Sequence, residues 1–169
     1  MSHTGEIRRQ RERRSPVQMR IRLAVPRDCK KLCRLREALW PESSASKHER
    51  ELEGVLKGKA PGRLPLVAFV AESPDGALLG FVEIGLRSHA DGCDPRKLVG
   101  FVEGWFVVER ERRKGVGKQL MEAAEKWARG QGCAEMASDT WIDNEVSQRA
   151  HEALKFEVVD RCVHYRKAL

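Results

Sequence analysis

Aromatic residues are scarce in this sequence, and it contains no long apolar run. They make up 6% of its 169 residues, and Tyr165 is its single tyrosine. The longest apolar stretch, Leu64 to Ala71, is broken by Pro65 and is far shorter than the roughly 20 residues of a membrane-spanning helix. Residues 1–14 are polar and rich in arginine, whereas a secretory signal needs an apolar segment. These absences predict an intracellular, cytoplasmic protein without a membrane partner.

Disulfide, metal and nucleotide-loop patterns are also missing. The five cysteines are odd in number and form no Cys-x-x-Cys pair, which argues against a disulfide scaffold or a zinc site. Residues 54–60 suggest a P-loop, but three spacer residues replace the required four and Ala60 stands where Ser or Thr is needed. The sequence has no Gly-x-Gly-x-x-Gly motif either. We therefore expect no metal ion and no dinucleotide-binding fold.

The net charge of +7 is concentrated at one end of the chain. Residues 1–36 hold 12 of the 32 Lys and Arg residues and 3 of the 25 Asp and Glu residues, which leaves 20 basic and 22 acidic residues in the rest. Residues 1–17 have too little apolar character to form a core, so we predict a disordered basic tail before a domain over residues 18–169. No aromatic residue interleaves these arginines, which disfavours nucleic acid as a partner.

Hydrophobic periodicity predicts one α/β domain. Alternating or apolar runs predict strands over 18–25, 66–72, 78–86, 99–108, 134–138, 156–160 and 162–166. Apolar residues at three- and four-residue steps predict helices that begin at Pro26, Glu42, Gly115 and Asn144. The expected fold is a mixed, mostly antiparallel sheet of six or seven strands flanked by about four helices.

A basic, glycine-containing segment between a strand and a helix gives the strongest functional signal. It reads Arg112-Arg113-Lys114-Gly115-Val116-Gly117. Glycines let the backbone turn tightly, so that several N–H groups point at one place, and the helix N-terminus adds positive potential. Basic side chains add charge-assisted hydrogen bonds. The pattern suits a diphosphate-bearing cofactor, with a solvated basic turn as the alternative.

This segment resembles the acetyl-CoA loop of the GNAT superfamily, Arg/Gln-x-x-Gly-x-Gly/Ala. Arg112, Gly115 and Gly117 stand at its three defining positions. The resemblance implies a GNAT fold and acetyl-CoA as cosubstrate. The cofactor-binding residues that it implies are Trp105, Phe106, Val107, Val108, Arg112, Arg113, Lys114, Gly115, Val116, Gly117, Lys118 and Asn144.

Over about residues 18–167, the sequence looks more closely like the aminoglycoside 6′-N-acetyltransferases of that superfamily. The matching pieces are LREALWP (35–41), GFVEG (100–104), ASD (137–139), DN (143–144) and AH (150–151). The resemblance implies a cationic aminoglycoside as the acetyl acceptor, antibiotic resistance as the outcome, and a homodimer.

Two carboxylates suit a polycationic acceptor. Glu103 lies within an otherwise apolar strand and Asp139 ends another, and a pocket for amines needs negative charge. A position on a half-exposed strand and a turn cap are their structural alternatives. By resemblance both contact the amines of the acceptor. The resemblance also implies that Trp40 lines the substrate pocket, with a core position as its alternative, and that His89 contacts the substrate. Asp160 corresponds to an acidic position where two chains can join, so it is expected to serve the partner's pocket.

The expected reaction is direct transfer in a ternary complex. Glu103 or Asp139 passes on the proton of the amine, and the sequence leaves open which. A backbone N–H near Phe106 or Val107 is expected to stabilise the developing oxyanion. Many GNAT enzymes use a tyrosine as the general acid that protonates the departing thiolate. This chain has His151 near the position of that tyrosine, with Tyr165 as a second candidate general acid.

Three other functions are compatible with these patterns. A GNAT enzyme for a polyamine or a protein amine is the nearest alternative. A nucleic-acid-binding module would use the basic tail. A GNAT domain that binds acetyl-CoA without catalysis would act as a sensor.

Overall fold

The computed structural model describes residues 19–57 and 64–168, and the predicted basic tail of residues 1–17 lies outside them. The elements are β1 Arg20–Leu23, α1 Cys29–Leu39, α2 Ala45–Leu56, β2 Leu66–Glu72, β3 Leu78–Arg87, β4 Val99–Val107, α3 Val116–Gly130, β5 Met136–Ser138 and α4 Glu145–Ala153. Short 3-10 turns, Pro26–Asp28 and Glu109–Glu111, precede α1 and follow β4. Within the described residues, every helix is too short or too polar to span a bilayer.

The strands of the described residues form one five-stranded sheet in the order β1-β2-β3-β4-β5. The pairs along β1 to β4 are antiparallel and β4 pairs with β5 in parallel, so the predicted mixed sheet is confirmed. The predicted count of six or seven strands is wrong. Residues 157–168 are exposed and belong to no strand, because β5 spans three residues and offers only a short edge for further pairing.

Apolar side chains form a core on each face of the sheet. The helix α3 buries a stripe against one face, which consists of Val116, Leu120, Met121 and Ala124 packed on Val82, Ile84 and Val102. The helices α1 and α2 cover the other face with Leu32, Leu35 and Leu52 packed on Ala68, Val70 and Phe81. The three- and four-residue spacing of these positions is what predicted the helices.

A β-bulge interrupts β4 at its middle. Glu83 pairs with Gly104 and Ile84 with Val102, so Glu103 is the extra residue of β4. The parallel pairing of β5 reaches only Val102 and ends there. Beyond the bulge, the edge of β4 that faced β5 has no strand partner within the described residues. The candidate site lies where these two strands diverge.

Candidate active site

The two acidic residues that were predicted from the sequence stand at the point where β4 and β5 diverge, which we call the notch. Val102 and Ser138 form the last parallel pair, and Glu103 and Asp139 each follow directly after it. Neighbouring strands are about 4.8 Å apart, so these two residues begin the notch side by side. Asp139 is exposed, whereas Glu103 is half-buried.

The backbone of β4 presents polar groups to this notch. Hydrogen-bonded and non-hydrogen-bonded pairs alternate along an antiparallel ladder. The N–H of Val108 donates to the carbonyl of Leu79 at 2.9 Å, so Phe106 also faces β3, while Trp105 and Val107 face the open edge. Of the predicted backbone groups, the N–H of Val107 therefore points to the open edge, whereas the amide of Val108 is already engaged.

The glycine loop adopts the backbone shape that an anion cradle needs. Gly115 has φ 85° and Arg113 has φ 60°, both in the left-handed region, and α3 starts at Val116. An added Cβ on Gly115 would meet nothing within 4 Å, so the loop opens to solvent. The first N–H groups of α3 have no partner within the helix and can bind an anion.

The basic side chains of the loop differ in the hydrogen bonds and ion pairs that they form. The Arg112 Nε donates to the carbonyl of Val107 at 3.0 Å, which ties the loop to the end of β4. The Lys114 ammonium contacts Glu111 at 3.1 Å. Arg113 is exposed, as is Lys118 in the first turn of α3.

Trp105 joins the loop to the notch. An added Cβ on Gly117 would stand 2.9 Å from the Trp105 Cζ2, so the glycine lets the indole lie against the start of α3. Among the described residues, no hydrogen-bond acceptor lies in reach of the buried Trp105 Nε1. Such an unpaired buried donor is costly and fits a site that receives a polar ligand.

His151 on α4 lies between two aromatic rings at the far wall of the notch. It makes edge contacts with Trp105 and Phe156, at centroid distances of 5.4 and 5.2 Å. Its Nδ1 lies 2.8 Å from the carbonyl of Ser147, so this nitrogen donates. Its Nε2 lies 2.9 Å from the Ser138 Oγ and accepts from that hydroxyl in the neutral ring.

Asn144 caps the helix that carries His151. Its Oδ1 accepts from the N–H of Ser147 at 3.1 Å, which satisfies one free donor of the first turn. Asn144 therefore acts as an N-cap, and the residue itself remains exposed.

Trp40 packs on the bulge from the α1 and α2 face of the sheet, opposite the face that α3 covers. An added Cβ on Gly104 would stand 2.7 Å from the Trp40 Cζ2, so the indole lies directly on the glycine beside Glu103. The Arg36 guanidinium lies 5.0 Å from the centre of the Trp40 ring, and His48 stacks on it at 6.3 Å. The His48 Nε2 donates to the carbonyl of Trp40 at 3.2 Å. These contacts hold the Trp40 indole in place as one wall of the candidate site beside the bulge.

A buried charge cluster supports this wall. The Arg36 Nη2 donates to Glu51 at 2.7 Å, and its Nη1 lies 3.3 Å from the Glu83 Oε1. Glu83 is 3% exposed, and burial raises the pKa of its carboxyl to about 7, because desolvation outweighs the effect of Arg36. The Glu51 and Glu103 carboxylates also raise that pKa. Sequence reasoning missed Glu83, although it is a lone charge in an apolar strand, the same signal that pointed to Glu103.

Glu103 itself forms an ion pair that the sequence did not suggest. The Arg87 Nε donates to the Glu103 Oε1 at 3.0 Å, and the Arg87 Nη2 donates to the Oε2 at 2.6 Å. The guanidinium carbon lies 3.3 Å from the centre of the Phe101 ring. Arg87 and Glu103 are 16 positions apart on different strands, so only the sheet register brings them together.

The remaining predicted residues are exposed. His89 lies 3.6 Å from Asp91 in the loop after β3. Asp160 accepts only from the adjacent amide of Arg161, and Tyr165 is 93% exposed, so neither packs against the notch of its own chain. Among the described residues, no cluster of His, Cys, Asp and Glu has the arrangement of a metal site.

Comparison with known proteins identifies the family. The model of the acetyltransferase (GNAT) family matches residues 30–156. The chain belongs to this family. A curated GNAT relative, aminoglycoside N(6′)-acetyltransferase type 1 of Klebsiella aerogenes, is 43% identical over 135 residues, which cover 80% of this chain and 87% of the relative. The resemblance predicted from the sequence is thereby confirmed.

Two solved structures of aminoglycoside N-acetyltransferase AAC(6′)-Iy share this GNAT fold. One holds the bisubstrate analogue CoA-S-monomethyl-acetylneamine; its TM-score is 0.80 at 37% identity, covering 89% of this chain and 99% of that chain. The other holds CoA; its TM-score is 0.79 at 37% identity, covering 89% and 95% of the two chains.

Proposed function

We propose that this GNAT enzyme transfers the acetyl group of acetyl-CoA to the 6′-amine of an aminoglycoside and so confers antibiotic resistance. The observation that carries the proposal is the notch between β4 and β5, where Glu103 and Asp139 each follow the last strand pair, while Arg112 ties the glycine loop before α3 to the end of the same strand β4. The relative from Klebsiella aerogenes supports the choice of acceptor.

The residues around the notch fit the coenzyme. The N–H groups of residues 113–117 and the exposed Arg113 would hold its diphosphate, helped by the Lys118 charge. The open edge at Trp105 suits the amide groups of a pantetheine arm, which would extend the sheet, with Asn144 at the other wall. Acetyl-CoA supplies an acyl thioester, whose C–S bond breaks as the amine nitrogen bonds to the acyl carbon.

Glu103 and Asp139 act on the acceptor side. An ammonium cannot attack a carbonyl, so one carboxylate binds the charged amine and one takes its proton, directly or through water. Trp40 forms the wall beside Glu103 and gives the sugar an apolar surface. His89 is assigned to the rim of the same pocket.

Two groups assist the charge changes of the transfer. The Val107 N–H, at the open edge of β4, is the donor assigned to the developing oxyanion. His151 is assigned to protonate the departing sulfur from Nε2 when the ring carries a proton on both nitrogens, which requires Nε2 to leave its contact with the Ser138 hydroxyl; the edge contact with Trp105 holds the ring beside the notch. Tyr165 is the alternative acid and would act only if the C-terminal segment is repositioned.

The C-terminal segment, residues 157–168, supports a homodimer. Val158, Val163 and Tyr165 are 66%, 70% and 93% exposed, which leaves large apolar side chains of this segment without cover in a single copy. Pairing of this segment with a second copy would cover these side chains and bring Asp160 toward the partner's acceptor pocket. We assign the enzyme to the cytoplasm because acetyl-CoA is charged and is made inside cells, and we expect no nucleic-acid partner.

Thiol release by the full chain with acetyl-CoA tests the proposal. We expect turnover with kanamycin and neomycin, and none with paromomycin, in which a hydroxyl replaces the 6′-amine of neomycin. Turnover of spermidine or a basic peptide without turnover of kanamycin would move the acceptor to the polyamine or protein class.

Calorimetry separates the other candidate functions. Heat of acetyl-CoA binding without turnover of any amine would indicate a sensor. No heat, in a sample shown to be folded, would exclude the coenzyme altogether. Steeply salt-dependent binding of DNA or RNA that disappears when residues 1–17 are removed would indicate a nucleic-acid module.

A further inference from the structure

The carboxylate proposed to receive the acceptor amine already holds a cation of the same chain. Both oxygens of Glu103 accept from Arg87, at 3.0 and 2.6 Å. This bidentate geometry occupies one lone pair on each oxygen and neutralises the charge with which Glu103 would attract an ammonium. An arriving amine therefore meets a neutralised carboxylate.

The Arg87–Glu103 ion pair is partly exposed. It lies on the same face of the sheet as α1, α2 and Trp40. Phe81, Glu83, Gly85 and Arg87 alternate along one face of β3, and Phe81 packs against α1 and α2. The exposed fractions of the Arg87 and Glu103 side chains are 42% and 31%, compared with 8% and 4% for Arg36 and Glu83. Partly exposed ion pairs contribute little to stability, so this one is readily opened.

Two contacts beside the ion pair bear on an exchange of cations. Gly85 has no side chain, and an added Cβ there would stand 3.7 Å from the Glu103 Oε1. One side of the carboxylate is therefore bordered by bare backbone. The Arg87 guanidinium rests on the Phe101 ring, which offers it a favourable contact independent of Glu103. Arg87 is the last residue of β3, before an exposed loop.

We propose that Arg87 is an internal competitor of the acceptor amine: its guanidinium occupies Glu103 in the free enzyme and is displaced when the ammonium binds. This inference rests on the proposed function. The acceptor then binds only the fraction of enzyme in which Glu103 is free, which raises KM by the inverse of that fraction. The effect on kcat is small, because the displaced arginine is absent from Glu103 both in the bound ground state and in the transition state.

Steady-state kinetics of Arg87→Gln with kanamycin test the proposal. We expect KM to fall about two- to fivefold, the range that corresponds to an exposed ion pair, with kcat changed less than twofold. Arg87→Lys retains one charge without the bidentate geometry, so its KM should fall less. Arg96→Gln is the matched control, because Arg96 is exposed, forms a 3.0 Å ion pair with Asp94 and carries the same charge; its KM should stay unchanged.

Methylguanidinium added to Arg87→Gln separates competition from positioning. We expect it to inhibit competitively against kanamycin, more strongly than in the wild type, with sodium chloride at equal concentration as the control. A rise in KM or a fall in kcat for Arg87→Gln, with recovery on adding methylguanidinium, would show that Arg87 positions Glu103 and would overturn the proposal.

Unchanged kinetics in both Arg87 variants would also overturn the proposal. If Arg87→Gln does not fold, as judged by its thermal transition, Arg87→Lys decides by the same criteria. Absence of kanamycin turnover in the wild type would instead reject the proposed function, and it is measured before any variant.

Discussion

Replacing the buried Glu83 with glutamine should change how stability depends on pH. An unfolded glutamate titrates near pH 4.3, whereas burial raises the pKa of Glu83 to about 7 in the folded protein. Between these values the folded state binds more protons than the unfolded state, so its unfolding free energy falls as pH rises. The stability from the raised pKa is fully present below the unfolded pKa and is lost as pH rises through the folded one.

The size of the effect follows from the two pKa values. One pKa unit corresponds to about 1.4 kcal/mol, so the complete loss is about 3 to 4 kcal/mol, of which about 2 to 3 kcal/mol falls between pH 5 and pH 8. Glutamine has nearly the same shape and does not titrate. Arg36, Glu51 and Glu103, the charged groups that face Glu83, are present in both proteins and largely cancel in the comparison.

Urea unfolding followed by tryptophan fluorescence at pH 5, 6, 7 and 8 measures this difference. Glu83→Gln should gain stability relative to the wild type as pH rises, whatever its absolute stability. Glu122→Gln, at an exposed position of α3, is the control and should show no such trend. If the difference in unfolding free energy between Glu83→Gln and the wild type is constant from pH 5 to pH 8, or changes in favour of the wild type as pH rises, the reasoning about burial is refuted.

Three further substitutions test the notch. Asp139→Asn should lower kcat about 10²-fold or more if Asp139 takes the amine proton, and near-normal rates would remove it from that role. Gly117→Val should abolish acetyl-CoA binding in calorimetry while the circular dichroism spectrum stays folded, because its side chain blocks the loop backbone and displaces Trp105. Gly104→Ala should push Trp40 off the bulge, with a loss of about 1–3 kcal/mol in unfolding free energy and a raised KM for kanamycin.

The elements that periodicity predicts well are those whose pattern is complete within one segment. The strand predicted over 66–72 is observed at Leu66–Glu72, and the helix predicted from Gly115 to Arg129 is observed at Val116–Gly130. Their apolar spacing depends only on which face is buried. The glycine loop was predictable for the same reason, since it lies between two such elements.

The features that escaped prediction depend on pairing between distant segments. No local pattern marks Glu103 as a bulge residue, because the bulge is defined by the register of β3 against β4. The Arg87 ion pair with Glu103 follows from that register. The last two predicted strands alternate correctly, yet a strand needs a neighbouring edge, and the short β5 does not provide one to residues 157–168 of the same chain.

The two arginine–glutamate pairs beside the bulge have the same chemistry and different consequences. Arg36 is nearly fully buried, binds two carboxylates and lies against Trp40, so removing Arg36 would leave the buried Glu83 without its cation. Arg87 reaches Glu103 from an exposed strand end and holds one carboxylate only. Opening the first pair would disturb the wall of the pocket, whereas opening the second frees a ligand for an amine. The difference in burial, rather than in residue type, therefore makes Arg36 a structural support of the site and Arg87 an exchangeable partner of Glu103.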